Sequence, residues 1–276
     1  MTGILLSVRN AEEASLANSY PIDLLDLKDP KQGSLGEVSA EVRQNLILAA
    51  PLAQPKSIAL GELADWDRER LSSHNWSWLN DFQFAKVGLA QATPWQDWRN
   101  TWLEVREHFP FTTVLVGVAY ADWERCDAPM IEEVFDWILE SSVRLVPPPA
   151  TNQLGNDQLV SGCGPSSQRA LLIDTHFKDR GSTVDILGWT KIEKLIALAK
   201  RNQTTLVVAG SLRFEHLERL SELAPDYIGL RGAVCESHRL DLSPVKLAEL
   251  YEYWSKVSPQ PKRGWIESAP NDKHLT

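Results

Sequence analysis

Short runs rich in valine, isoleucine and leucine recur roughly every 25 to 35 residues, with amphipathic stretches between them. Eight can be counted: ILLSV (4–8), IDLLDL (22–27), SIALGEL (57–63), FAKVGL (84–89), TTVLVGVAY (112–120), ALLIDTH (170–176), TLVVAG (205–210) and YIGLRG (227–232). Apolar runs of this kind are strands buried on both faces, and their alternation with helices is the pattern of parallel βα units. Eight strands and eight helices in 276 residues predict a TIM (β/α)8 barrel, for which about 250 residues is typical. An open doubly wound sheet is the rival. It carries a Gly-rich turn after its first strand, and SVRNAEEA has no glycine there.

The expected organisation is a single barrel domain over residues 1–257 and a partly ordered C-terminal extension over 258–276, with SPQPKRG and SAPNDKH in it. One segment interrupts the pattern. VPPPATNQLGNDQLVSGCGPSSQ, 146–168, is dense in Pro, Gly, Asn and Ser and reads as an inserted loop. It leads into the start of the sixth strand, so it should lie on the bottom face, away from the chemistry. Trp95, Trp98 and Trp102 share one helix face, as do Leu195, Ile196, Leu198 and Ala199, and both faces should pack on the sheet.

A net charge of −9 argues against a nucleic-acid partner, whose binding needs clustered Lys and Arg, and a small ligand is the better expectation. No apolar run approaches the roughly 20 residues of a membrane span, and MTGILLSVRN has no basic leader or cleavage site, so a cytoplasmic protein without a membrane partner is expected. Cys126, Cys163 and Cys235 are odd in number and far apart, which suits free thiols.

Polar groups enter the strands where a buried run should stay apolar. Side chains alternate along a strand, so Leu24, Asp26 and Lys28 share a face, as do Phe84, Lys86 and Gly88, and Leu172, Asp174 and His176. Lys178 follows in the next loop. In a barrel these five charges, Asp26, Lys28, Lys86, Asp174 and Lys178, converge on the C-terminal mouth, where TIM-barrel active sites lie. Buried charges are costly unless paired, so their convergence asks for a reason. Amine catalysis supplies one: a desolvated lysine among other cations becomes a neutral nucleophile near neutral pH, and the imine it forms with a carbonyl acts as an electron sink. A second lysine or a carboxylate then moves protons.

The last two strands end in glycine-bearing turns, Gly210 and Ser211 in VVAGSL and Gly229, Arg231 and Gly232 in YIGLRG. Glycine allows backbone N–H groups close to an anion, and these loops are the usual phosphate position of such barrels. A phosphorylated small molecule is the expected ligand. His176 beside Asp174 has no third ligand at a convincing spacing, so no metal site is expected.

These residues, in this order, resemble the (5-formylfuran-3-yl)methyl phosphate synthase family of methanofuran biosynthesis. The likeness begins at LLSVRNAEEA and is sharpest in DLKDPKQGSLG, FAKVGL, VAYADW, LIDTHFKDRGSTVDIL, VVAGSL and YIGLRGAVC. The resemblance implies a TIM barrel that condenses two glyceraldehyde 3-phosphate molecules into a furan aldehyde phosphate, for a methanofuran-type one-carbon carrier, without cofactor. It implies Lys28 as the Schiff-base lysine, Lys86 as proton acceptor, and Asp26, Asp174 and Lys178 in support, with Asp26 orienting or charge-balancing Lys28. Departures from the compact archaeal pattern are the 146–168 insertion, the tail, His176 and Trp123. Spacing alone leaves open an aldolase-like reaction with Lys178 as the imine lysine, or a non-catalytic phosphate-ligand binding protein. A homo-oligomer is compatible with the sequence.

Overall fold

The structure, a computed structural model, describes residues 2–51, 53–73, 75–95, 97–144, 169–236 and 239–258. Cys163, the 146–168 insertion and all of the expected extension except Ser258 lie outside the described residues. Strands β1 (Gly3–Val8), β2 (Leu24–Leu27), β3 (Lys56–Glu62), β4 (Phe84–Gly88), β5 (Val114–Tyr120), β6 (Arg169–Asp174), β7 (Thr204–Val208) and β8 (Tyr227–Leu230) pair in parallel in chain order, and β8 closes on β1. This is the TIM barrel expected from the sequence. Its described helices are α1 (Ala11–Ala17), α2 (Ala40–Ala49), α3 (Arg68–Ser73), α4 (Trp98–His108), α5 (Ile131–Arg144), α6 (Thr183–Leu187), α7 (Trp189–Arg201), α8 (Phe214–Leu223) and α9 (Pro244–Val257). Among the described residues no helix is long and apolar enough to cross a membrane.

The two faces of each strand bury into different cores. Leu5, Leu24, Ala59, Phe84, Val116 and Leu172 fill the barrel interior. Ile4, Leu25, Ile58, Val87 and Ile173, one residue out of phase with them, pack under the helices. Trp98 and Trp102 of α4 are buried against that outer layer and Trp95 packs partly on it; Leu195, Ile196 and Ala199 of α7 do the same, with Leu198 at the edge. Side-chain caps start several helices: Asn10 accepts from the N–H of Glu13, Ser39 from that of Val42, and Ser243 from that of Lys246.

One strand breaks the alternation. The register of β3 against β4 shifts between Ala59 and Glu62, and Gly61, at φ +81°, lies within the shift. A bulge of this kind advances the strand by one position and re-aims the side chains beyond it. Glu62 is thereby brought to the mouth instead of the helix layer.

Candidate active site

At the C-terminal end of the barrel lies a cavity of about 270 Å³, lined in part by Asp26, Lys28, Lys86, Asp174 and Lys178. The five charges expected to converge do so, through strand alternation on β2, β4 and β6 and a short loop beyond β6. Gly210, Ser211, Gly229, Arg231 and Gly232 line its other side.

The charges are partnered unequally. Lys86 forms an ion pair with Oδ1 of Asp26, and Asp26 also accepts from Ser7 Oγ at 2.8 Å and from Ser57 Oγ at 2.7 Å. Burial alone would raise the Asp26 pKa, but the ammonium of Lys86, the field of Lys28 and these hydrogen bonds hold it below the usual carboxylate range. Lys178 donates to Asp174 Oδ1 at 2.8 Å, to Thr175 Oγ1 at 3.0 Å, to Ser34 Oγ at 3.2 Å and to the carbonyl oxygen of Thr175. Asp174 is likewise held well below its ordinary range: against the effect of burial stand Lys178, Lys28 and the N–H of Thr175.

Lys28 is the exception. Only 6 % exposed, its ammonium has no hydrogen bond or ion pair to any described residue. Desolvation lowers its pKa to about 7, with Lys86 and Lys178 adding to the shift and Asp174 and Asp26 opposing it. The arithmetic of charge explains this: two carboxylates already hold two ammonium groups, so a third has no counter-ion. Asp26 thus acts on Lys28 through its field and makes no hydrogen bond to it, its oxygens facing Lys86, Ser7 and Ser57 instead.

Arg231 also differs from expectation. Its guanidinium points into the wall between β8 and α1, where it is paired with Glu13 at 2.8 Å and donates to the main-chain oxygens of Ser7, Arg239 and Leu240. Gly210, at φ +92°, allows the β7 turn to close on β6: a Cβ there would stand 2.2 Å from Thr183 Oγ1 and 2.7 Å from the Thr175 nitrogen. The residue after it, Ser211, is left-handed as well.

Sequence reasoning missed three features of the mouth. Ser34, in the GSLG part of the β2 loop, is buried and joins Lys178 to β6. Arg239 lines the cavity beside Gly232. Glu62 accepts from Tyr120 Oη and, at 2.9 Å, from the Ala90 N–H; burial raises its pKa, opposed by those bonds. The His176 ring stands edge-on to Tyr120, and its Nδ1 lies 3.8 Å from Glu62 Oε1. Asp122 fixes that loop by accepting the N–H groups of His176 and Phe177. Trp123 packs against the inner cluster.

The family model described as 4-HFC-P synthase matches residues 4–146 and 153–251. A protein of Methanosarcina acetivorans named (5-formylfuran-3-yl)methyl phosphate synthase is 27 % identical over 250 residues, covering 89 % of this chain and 96 % of the relative. One of the same name from Archaeoglobus fulgidus is 27 % identical over 240 residues, covering 86 % and 92 %. Among solved structures, phosphoribosyl anthranilate isomerase of Thermotoga maritima superposes with a TM-score of 0.57 at 11 % identity, covering 93 % of this chain and 100 % of that one. That likeness speaks to the barrel alone.

Proposed function

Because the chain belongs to the 4-HFC-P synthase family, we propose that it condenses two molecules of glyceraldehyde 3-phosphate into (5-formylfuran-3-yl)methyl phosphate through an imine on Lys28. The atoms balance: two C3H7O6P units lose one H3PO4 and two H2O to leave C6H7O6P. No redox cofactor is required by that balance. The product suits a methanofuran-type one-carbon carrier.

One observation carries the assignment of Lys28. Of the three lysines in the mouth, Lys86 and Lys178 each hold a carboxylate, while Lys28 has neither counter-ion nor hydrogen bond among the described residues. An amine with a pKa of about 7 is substantially unprotonated at neutral pH and free to attack a carbonyl. After one triose phosphate reaches the ketose level, its carbonyl carbon forms a C=N bond to Lys28 Nζ and the carbonyl oxygen leaves as water. The iminium then takes up the electron pair released when the neighbouring C–H proton departs to Lys86 Nζ, which has first passed one of its own protons to Asp26 Oδ1 across their ion pair. The resulting enamine carbon bonds to the aldehyde carbon of the second molecule. Lys178, beside Asp174, protonates oxygens that leave during cyclisation and dehydration.

Borohydride reduction in the presence of glyceraldehyde 3-phosphate, followed by intact mass and peptide mapping, tests this reading. A triose phosphate adduct on Lys28 is expected. An adduct on Lys178 transfers the role to that residue and favours an aldolase-like reaction; no adduct in protein shown to bind the sugar phosphate favours a non-covalent enzyme or a binding protein.

A further inference from the structure

Arg231 and Arg239 stand at the same edge of the cavity and are bonded in opposite ways. Arg231 is 4 % exposed. Its Nε donates to the carbonyl oxygen of Arg239 at 2.8 Å; Nη1 donates to the Ser7 carbonyl and to Glu13 Oε2, both at 2.8 Å; Nη2 donates to Glu13 Oε1 at 3.1 Å and to the Leu240 carbonyl at 2.8 Å. A guanidinium has five N–H donors in a fixed fork, and all five are engaged. Nothing remains for a ligand.

Arg239 has the opposite character. Its half-buried side chain lines the cavity, and its guanidinium has no hydrogen bond or ion pair to any described residue. The backbone there is left-handed, φ +65°, a conformation uncommon for a residue with a Cβ. Two of the five bonds of Arg231 go to the carbonyls of Arg239 and Leu240, so the buried arginine holds from beneath the turn that presents the free one. The third arginine at this edge, Arg213, is already occupied by Asp185 and Glu215. With Asp26 and Asp174 ion-paired to Lys86 and Lys178, Arg239 is a permanent positive charge in the cavity wall without an ion-pair partner among the described residues, sensing Asp174 only through its field.

We propose that Arg239 clamps the phosphate of the substrate whose carbonyl meets Lys28, and that Arg231 is a positioning residue which fixes the Arg239 turn. The proposal rests on the reading that the cavity takes a phosphorylated carbonyl compound, and it makes Arg239 the group that selects for the phosphate. A guanidinium suits this use because its fork matches two phosphate oxygens and its charge does not titrate near neutrality.

Two measurements on Arg239→Gln and Arg239→Lys separate this clamp from the imine chemistry. In borohydride trapping, Arg239→Gln is expected to raise the half-saturating concentration of glyceraldehyde 3-phosphate on the order of tenfold or more, with partial recovery in Arg239→Lys, while trapping of unphosphorylated glyceraldehyde stays as in the parent. An unchanged value for the phosphorylated sugar, or an equal shift for both sugars, overturns the proposal. Calorimetric titration with inorganic phosphate needs no imine. Loss of its heat in Arg239→Gln, even if no protein traps any sugar, supports the clamp while sinking the role of Lys28; heat undiminished in Arg239→Gln sinks the clamp whatever the trapping shows.

Discussion

Ser34 and Lys178, 144 residues apart in sequence, meet in the barrel mouth: the serine hydroxyl oxygen accepts a hydrogen bond from the lysine Nζ at 3.2 Å. The same hydroxyl lies 3.0 Å from the carbonyl oxygen of Thr175, to which it donates. This contact explains why DLKDPKQGSLG behaves as one block. Its first part puts Asp26 and Lys28 into the cavity; its middle is a 3-10 turn capped by Asp29, whose N–H donates to the Gly36 carbonyl; its last part brings Ser34 against the end of β6. Ser34→Ala removes a bond of about 1 kcal/mol. Turnover is expected to fall roughly five- to tenfold through a less ordered Lys178, with trapping at Lys28 unchanged, as steady-state rates and borohydride mapping on one preparation will show.

In the proposed imine mechanism the Lys28 amine sets the acid side of the pH profile. With its pKa lowered to about 7 by burial, first-order trapping rates are expected to rise with pH through 7 and then level off. Stability carries the same sign. Between pH 7 and the ordinary lysine value of 10.5 the unfolded chain binds more protons at this residue than the folded one, so the Lys28 contribution becomes more favourable as pH rises through that window. Denaturant titrations of the parent and of Lys28→Met at pH 7 and pH 9 should show the variant's relative advantage shrinking at the higher pH. A constant difference would mean that folding leaves the Lys28 pKa near its ordinary lysine value.

Lys178 and Lys28 compete for the field of Asp174. Lys178→Met releases that carboxylate, and Asp174 then stabilises the Lys28 ammonium, so the acid limb of the trapping profile should move to higher pH by about a unit. An acid limb that stays in place would show that Lys28 does not sense Asp174.

Arg231→Met leaves Glu13 buried with part of its hydrogen bonding lost and three main-chain oxygens without their donor. Breaking a buried pair in this way is expected to cost about 3 kcal/mol in urea unfolding. Arg239→Gln, which removes no side-chain bond to a described residue, should unfold within about 0.5 kcal/mol of the parent. The two arginines are therefore told apart by stability before any substrate is added.

The barrel was legible because each strand is buried on both faces, so the eight apolar runs stand out whatever their partners, and only ends such as Ile22 and Asp23 of the second run fell outside the strands. The inward faces of β2, β4 and β6 were legible for a related reason: unbulged strands alternate strictly, which put Asp26, Lys86 and Asp174 on the right side. Glu62 was hidden by the bulge at Gly61, which shifts the alternation by one where no apolar pattern records it. Ser34 sits in a turn without periodicity. That the donors of Arg231 are all engaged was not legible at all, since it depends on Glu13, 218 residues from Arg231, reaching the end of β8.

That reach between Arg231 and Glu13 has a further consequence for a chain emerging in order from its N-terminus. Contacts so distant along the chain carry a large loop-closure entropy and form late. The turn bearing Arg239 is therefore anchored only when the eighth βα unit closes onto the first. Until then the Arg231–Glu13 pair and the turn it holds at Arg239 and Leu240 are both missing, so this edge of the cavity is the last part of the barrel to take shape.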